Sequence, residues 1–239
     1  MSAAMGDPMS AIPKLPLEMR PRQVILRDRQ TVASIIPLVS KDQVPLTLLR
    51  CLSDRFAKEI DDGDTYPMLE PMSLDDFLSY WFQDFAAIML LGNIKSPEDM
   101  TVKGKDWSKE CLGASHIKPN YPGRSSHVCN GGFLLMDASR DLDVDRLLYE
   151  SYIDWATKLA TPTVFNLVYE TNVALCTIWD ALGFERIDRV KGCGRLKSYP
   201  DRLVDTIIYG RELMAEEDAE GPASEDRFDK IKFYLKHAP

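Results

Sequence analysis

A short acidic segment follows an apolar run in the middle of the chain, at a place where many folds bind phosphate. The run is GGFLLM, and the segment SRDLDVDRLL after it leads into an amphipathic helical pattern. A phosphate cradle at a helix start needs glycines and positive charge, because backbone N–H groups must approach an anion closely. This segment has Asp141, Asp143 and Asp145 and no glycine. Such aspartates also stabilise an empty helix end, so the segment predicts either a simple helix start or an altered phosphate turn.

Four further side chains near apolar segments have the chemistry of a small-molecule site. Glu170 ends the run TVFNLVYE, where it could act as a general base if burial raises its pKa, or lie at a rim as a solvated carboxylate. His127 precedes the segment CNGGF and is a candidate proton shuttle or a structural histidine. Tyr209 and Arg124 are candidate substrate contacts, against the usual roles of a core tyrosine and a solvated arginine.

Short apolar and β-branched runs predict the strands that would position these residues. TVFNLVYE is almost continuously apolar, which is typical of a strand at the centre of a sheet. The turn NYPGRSS joins two strands that we expect to be neighbours. The predicted strands are QVILRD, TVASIIPLV, FAAIMLLG, CLGASHIKP, HVCNGGFLLM, TVFNLVYE, FERIDRV and VDTIIYGREL.

Apolar residues at helical spacing predict four helices between these strands. One begins near Pro45, and a second, SLDDFLSYWF, has Ser73 as a candidate N-cap. A third covers 144–159 and a fourth is NVALCTIWDALG, which Asn172 is placed to cap. The polar stretch NIKSPEDMTVKGKDWSKE is predicted as a loop. This order indicates an α/β (α+β) fold around one mixed sheet.

The composition limits both the domain organisation and the class of partner. The chain has 239 residues, of which 45% are hydrophobic and 28% charged, and its net charge is −8. These values are typical of a globular domain and argue against nucleic acid as a partner. No apolar run approaches the ~20 residues of a membrane span. We expect one domain at 23–213, after a mobile leader at 1–22 and before an acidic linker with a short helix at 214–239.

The five cysteines predict reduced thiols in a cytoplasmic protein. Their number is odd and they include no CxxC pair. Neither a disulfide framework nor a metal site is therefore expected.

Several segments of the second half carry a family resemblance. LGASHIKPNYPGRSSHVCNGGFLL, FNLVYETN, IWDALGFERI and VDTIIYG together resemble the GNAT superfamily of N-acetyltransferases. They are most similar to a fungal branch that includes the yeast acetyltransferase of azetidine-2-carboxylate and related proline analogues. The resemblance implies a mostly antiparallel sheet flanked by helices, with two splayed middle strands and acetyl-CoA between them. Relatives in this branch pair as dimers, so a homodimer is also implied.

The resemblance assigns the cofactor to one strand and to the acidic segment. Backbone groups of Phe133, Leu134, Leu135 and Met136 would pair with the pantetheine arm, and Arg140 would begin the pyrophosphate turn. The family turn follows Q/R-x-x-G-x-G/A, and here Asp143 and Asp145 occupy both glycine positions. This is a degenerate turn with the wrong sign of charge. At about 5 Å and an effective dielectric of ~20, each pair of like charges costs roughly 3 kcal/mol.

The resemblance also implies that asparagines contact the substrate and the reacting thioester. By motif these are Asn130, Asn166 and Asn172. An amide offers a donor and an acceptor, so it can hold a carboxylate or an amine without adding charge. The alternatives are a satisfied core amide at Asn166 and a helix cap at Asn172.

Three functions remain open from the sequence. The favoured one is a GNAT-fold enzyme of secondary metabolism that no longer uses CoA and performs acid–base chemistry on a small metabolite, such as cyclisation, elimination, decarboxylation or isomerisation. The second is an acetyl-CoA-dependent N-acetyltransferase of a small amine or amino acid. The third is a non-catalytic protein that binds a small ligand.

Overall fold

The computed structural model describes residues 19–101, 104–139, 142–159 and 163–213. Within them the helices are α1 (Leu46–Asp62), α2 (Leu74–Trp81), α3 (Trp107–Glu110), α4 (Val144–Lys158) and α5 (Val173–Ala181). The strands are β1 (Arg22–Ile25), β2 (Val32–Leu38), β3 (Phe85–Leu91), β4 (Cys111–Pro119), β5 (Cys129–Leu135), β6 (Thr163–Tyr169), β7 (Glu185–Gly194) and β8 (Val204–Arg211).

The strands form one sheet in the order β1-β2-β3-β4-β5-β6-β8-β7. Neighbours are antiparallel except β5 and β6, which run parallel and pair at Cys129 and Thr163. The two strands diverge beyond that pair, and a bulge between Phe165 and Val168 adds a residue to β6 against β8. The sheet is therefore split at its centre, which confirms the predicted α+β fold with a mostly antiparallel sheet.

Helices cover both faces of the sheet. On one face α1 packs Leu52, Phe56 and Ile60 into a cluster that includes Leu134 of β5. On the other face α4 and α5 pack into a second cluster around Trp155. Side chains alternate between the two faces of a strand, so one strand supplies both clusters. Among the described helices none is long and apolar enough to cross a membrane.

Local signals in the sequence place most helix ends. The Ser73 side chain accepts a hydrogen bond from the Asp76 N–H at the start of α2, and Asn172 accepts one from Leu175 N–H at the start of α5. Gly63 ends α1 in the left-handed region, at φ 75°. The predicted loop NIKSPEDMTVKGKDWSKE is only partly correct, because Asp106 caps the short helix α3 within it.

The domain boundaries from the sequence stay predictions at both ends. The described strands of 23–213 join one sheet, as expected for a single domain. The first 18 residues of the leader, and the linker with its short terminal helix at 214–239, lie outside the described residues.

Two adjacent glycines in β5 make room for large side chains from both faces. A Cβ on Gly131 would lie 2.3 Å from the Tyr152 ring, and one on Gly132 would lie 2.5 Å from the His116 ring. His116 is itself wedged against Trp81, with ring centroids 4.5 Å apart. Close packing therefore requires glycine at both positions.

We expect Gly132→Ala to lower the free energy of unfolding by about 1–3 kcal/mol, because the methyl group overpacks the His116 site. Urea denaturation measures the change. Adding His116→Ala removes the clashing ring, so the double variant should lose less stability than the sum of the single variants. Strict additivity would contradict this explanation of the glycine.

Candidate active site

A cavity of about 490 Å³ lies where β5 and β6 diverge. Arg55, Glu59 and Tyr80 line it from the α1–α2 face of the sheet, and Asp145 and Trp179 line it from the α4–α5 face. The cavity therefore reaches through the sheet at the split. A ligand in it would contact strand edges as well as helices.

Side chains on the α1 side bind the strand edge that faces the cavity. The Tyr66 hydroxyl donates to the Phe133 carbonyl at 2.9 Å, and Arg55 Nε donates to the Leu135 carbonyl at 2.8 Å. Arg55 also pairs with Glu59 at 2.5 Å, and Glu59 accepts a hydrogen bond from Thr65 at 2.9 Å. These bonds show that the Phe133 and Leu135 carbonyls point away from β4, toward the cleft.

Aromatic rings form the wall on the other face. Phe165 of β6 stacks on Trp179 of α5 with centroids 4.4 Å apart, and Tyr149 of α4 lies 4.9 Å from the same indole. Phe133 contacts Tyr149 edge-on at 4.3 Å. Burial raises the pKa of the Tyr149 hydroxyl, and the Asp145 charge raises it further. Tyr149 is therefore a neutral hydrogen-bonding group at ordinary pH.

Asp143 in the acidic segment has a backbone conformation that is typical of glycine. Asp143 has φ 62° and ψ 28°, which is the left-handed conformation that glycine normally supplies. Its carboxylate pairs with Arg146 at 2.7 Å, and Arg146 also pairs with Glu150 at 2.5 Å. Asp143 therefore shares one positive charge with Glu150, whereas Asp145 lines the cavity. Arg140 and Asp141 lie outside the described residues.

Some of the residues proposed from the sequence meet at this cavity. Asn130 and Asn172 line it, as do Phe133 and Leu135. The Asn130 Oδ1 accepts a hydrogen bond from the Gly131 N–H at 2.7 Å. The Asn172 side chain also caps the start of α5. The backbone of Asn166 lies in β6 next to the bulge, but its side chain is not among those described.

Leu134 and Met136 face away from the cavity. Both side chains are buried in the cluster under α1 and α2, where they stabilise the fold.

The structure corrects the placement of four predicted site residues. Glu170 pairs with Arg189 at 2.5 Å, beside β7 and β8, and does not line the cavity. His127 and Arg124 are exposed in the turn between β4 and β5, and neither lines the cavity. Tyr209 is fully buried, beside Cys176 and under the Arg186 guanidinium, and is a core residue.

The sequence reasoning missed the contribution of α1. Arg55 and Glu59 flank the buried stripe of Leu52, Phe56 and Ile60, so their spacing resembles that of a surface ion pair. Only the packing of α1 against the end of β5 brings them to the cavity. Among the described residues, no group of three or more His, Cys, Asp and Glu side chains could hold a metal ion.

Two curated proteins are among those similar to this chain. No protein-family model matches the chain. The N-acetyltransferase aca1 of Schizosaccharomyces pombe is 37% identical over 175 residues, covering 72% of this chain and 83% of aca1. Protein SPT10 of Saccharomyces cerevisiae is 33% identical over 241 residues, covering 85% of this chain. The match spans only 38% of the length of SPT10.

Solved structures share the fold. A GCN5-related N-acetyltransferase from Kribbella flavida superposes with a TM-score of 0.58 at 24% identity, covering 75% of this chain and 98% of that one. The putative acetyltransferase yncA from Salmonella typhimurium, solved with acetyl-CoA, gives 0.57 at 11% identity, covering 80% and 98%. At these sequence identities the similarity shows a shared fold only, which is a mostly antiparallel sheet flanked by helices.

Proposed function

The chain belongs to the fungal family of GNAT-type N-acetyltransferases that includes aca1, and we propose that it transfers an acetyl group from acetyl-CoA to the nitrogen of a small amine or amino acid. The observation that supports this most directly is the cavity between the parallel strands β5 and β6. It offers strand-edge carbonyls on one side and a helix start on the other. The homodimer, the cytoplasmic location and the role in secondary metabolism stay predictions from the sequence.

The residues around the split fit acetyl-CoA in shape. Phe133 and Leu135 direct backbone carbonyls into the cleft, where amide groups of a pantetheine arm could pair with them. Asp143 takes the left-handed conformation, so α4 starts from a turn of the glycine type. When bound, acetyl-CoA supplies an activated acyl thioester. The negative charge of Asp145 is the feature that fits diphosphate least well.

The chain's own groups for the acceptor lie on the α1–α2 side. Asn130 supplies an uncharged amide and Glu59 supplies a carboxylate, and Tyr66, Tyr80 and Phe133 are among the other residues that line the cavity. Such a lining favours a small acceptor with an amino group over a long polymer. Removal of water strengthens each of these polar contacts.

One observation favours the alternative, acid–base chemistry without CoA. The Phe133 and Leu135 carbonyls already accept hydrogen bonds from Tyr66 and Arg55. A carbonyl oxygen has two lone pairs, however, so each can accept a second donor. Membership of an N-acetyltransferase family and the ion pair of Asp143 with Arg146 therefore favour acetyl transfer over CoA-free chemistry.

Calorimetric titration with acetyl-CoA, followed by a thiol-release assay on a panel of small amines and amino acids, tests the proposal. We expect a dissociation constant in the micromolar range and CoA release that depends on the amine. Ala174 and Val173 provide a matched pair at the start of α5, because only Ala174 lines the cavity. Ala174→Glu should weaken binding at least tenfold, and Val173→Glu should leave it unchanged. Absence of both binding and thiol release in the unaltered protein would overturn the proposal in favour of CoA-free chemistry.

A further inference from the structure

Lys118 on β4 does not itself line the cavity, but it adjoins two residues that do. It pairs directly with Asn130 of β5 across the sheet, so the two side chains share one face. Directly opposite residues have Cβ atoms about 4.5–5.5 Å apart. The Lys118 Nζ lies 3.6 Å from the centroid of the Tyr80 ring. Both Asn130 and Tyr80 line the cavity.

The Lys118 amine is partly buried and has no hydrogen-bond acceptor among the described residues. Buried charged groups in proteins are normally paired and hydrogen-bonded. The acid whose charge acts on Lys118 is Asp84, and its buried Oδ2 has no hydrogen-bond partner among the described residues. The amine is therefore held by a ring face rather than by an anion. A ring face attracts an ammonium, so this contact stabilises the protonated form of Lys118, and only the partial burial of the amine disfavours its charge.

Among Lys118 and the titratable groups around it, the Lys118 amine has the pKa best suited to proton exchange near neutral pH. Desolvation lowers the pKa of Lys118 to about 8, although the Asp84 charge opposes this shift. Burial lowers the pKa of His116 well below its usual value, so this imidazole stays neutral. Burial raises the pKa of Tyr80, which stays protonated. Burial raises the pKa of Asp84, and the Lys118 charge partly offsets that shift.

We propose that Lys118 accepts the proton that the acceptor amine loses during acetyl transfer. This role rests on the proposed function. The amine nitrogen forms a bond to the carbonyl carbon, the carbon–sulfur bond breaks, and its electron pair leaves with sulfur. The proton from nitrogen passes to the neutral Lys118 Nζ, which later returns it to solvent. Asn130 and Tyr80 position the acceptor beside this amine.

The substitution Lys118→Arg distinguishes a role as proton acceptor from a role that needs only positive charge. A guanidinium stays protonated across the working range of pH, so it keeps the charge but cannot accept a proton. We expect Lys118→Arg and Lys118→Met each to lower kcat/KM at pH 8 about 100-fold, within the range for loss of a general base. The rise of kcat/KM with pH through about 8 should disappear in both variants. Lys109→Met, at an exposed lysine on α3, should leave rate and pH profile unchanged.

Two further measurements test the role of Lys118 independently. Added ethylamine should restore part of the rate of Lys118→Ala, and the calorimetric affinity for acetyl-CoA should stay within threefold in every variant that folds. If Lys118→Arg retains the full rate and the same pH profile, the proton-acceptor role is wrong, and acetyl transfer itself stands. If the unaltered protein acetylates no amine, the proposed function fails, and this role fails with it.

Discussion

Trp179→Ala is expected to lower the free energy of unfolding by about 3–5 kcal/mol. The indole is 1% exposed, and it stacks on Phe165 at 4.4 Å and contacts Phe184 at 4.7 Å. Truncation would remove these contacts and join the empty space to the cavity that Trp179 already lines. Because domains are stable by about 5–15 kcal/mol, this change would take a large share of the total. Guanidinium denaturation followed by circular dichroism measures it.

Trp179→Phe is the matched control for that prediction. The Trp179 Nε1–H has no hydrogen-bond partner among the described residues, so phenylalanine sacrifices no bond and retains most of the ring contacts. We expect the Phe variant to lose less than half of the stability lost by the Ala variant. Its affinity for acetyl-CoA should also stay closer to that of the unaltered protein. Equal denaturation midpoints for the Ala variant and the unaltered protein would show that the aromatic wall does not support the fold.

Local patterns were sufficient to predict most elements of the fold. The apolar spacing of 144–159 predicted α4, and Ser73 and Asn172 predicted the starts of α2 and α5. The reason is that burial periodicity and capping depend on residues within one or two helical turns. The continuous apolar run of β6 similarly predicted a central strand, and β6 lies between β5 and β8 in the sheet.

The site was harder to predict because its contacts are distant in sequence. Arg55 and Leu135 are 80 positions apart, and nothing near Arg55 indicates a bond to the end of β5. Glu170 was misplaced for a related reason. The strand β8 lies between β6 and β7, so Glu170 at the end of β6 meets Arg189 of β7 and Asp205 of β8 rather than the cavity. Strand order, which the sequence does not specify locally, determines where such side chains point.

The acidic turn supports a second prediction of large effect, that Asp145→Asn tightens the binding of acetyl-CoA at least tenfold. Asp145 lines the cavity at the start of α4, and its only described hydrogen bond is to the adjacent Arg146 N–H. Removal of one like charge near a diphosphate could gain up to roughly 3 kcal/mol at an effective dielectric of ~20. Solvent screening reduces that gain. A gain of about 1.4 kcal/mol in binding free energy is enough to lower the dissociation constant tenfold. Calorimetric titration measures the change.

Asp154→Asn is the matched control, because it makes the same charge change on the same helix, in a pair with Arg22. Asp154 lies nine residues further along α4, which is about 13.5 Å at 1.5 Å per residue. This distance exceeds the screening length of about 8 Å at physiological salt. The gain from Asp145→Asn should shrink as salt rises, whereas the control should show no gain at any salt concentration. If Asp145→Asn leaves the affinity unchanged, the diphosphate does not meet this carboxylate. The left-handed backbone at Asp143 would then carry the phosphate turn by shape alone, and the loss of both family glycines would have little consequence for the cofactor.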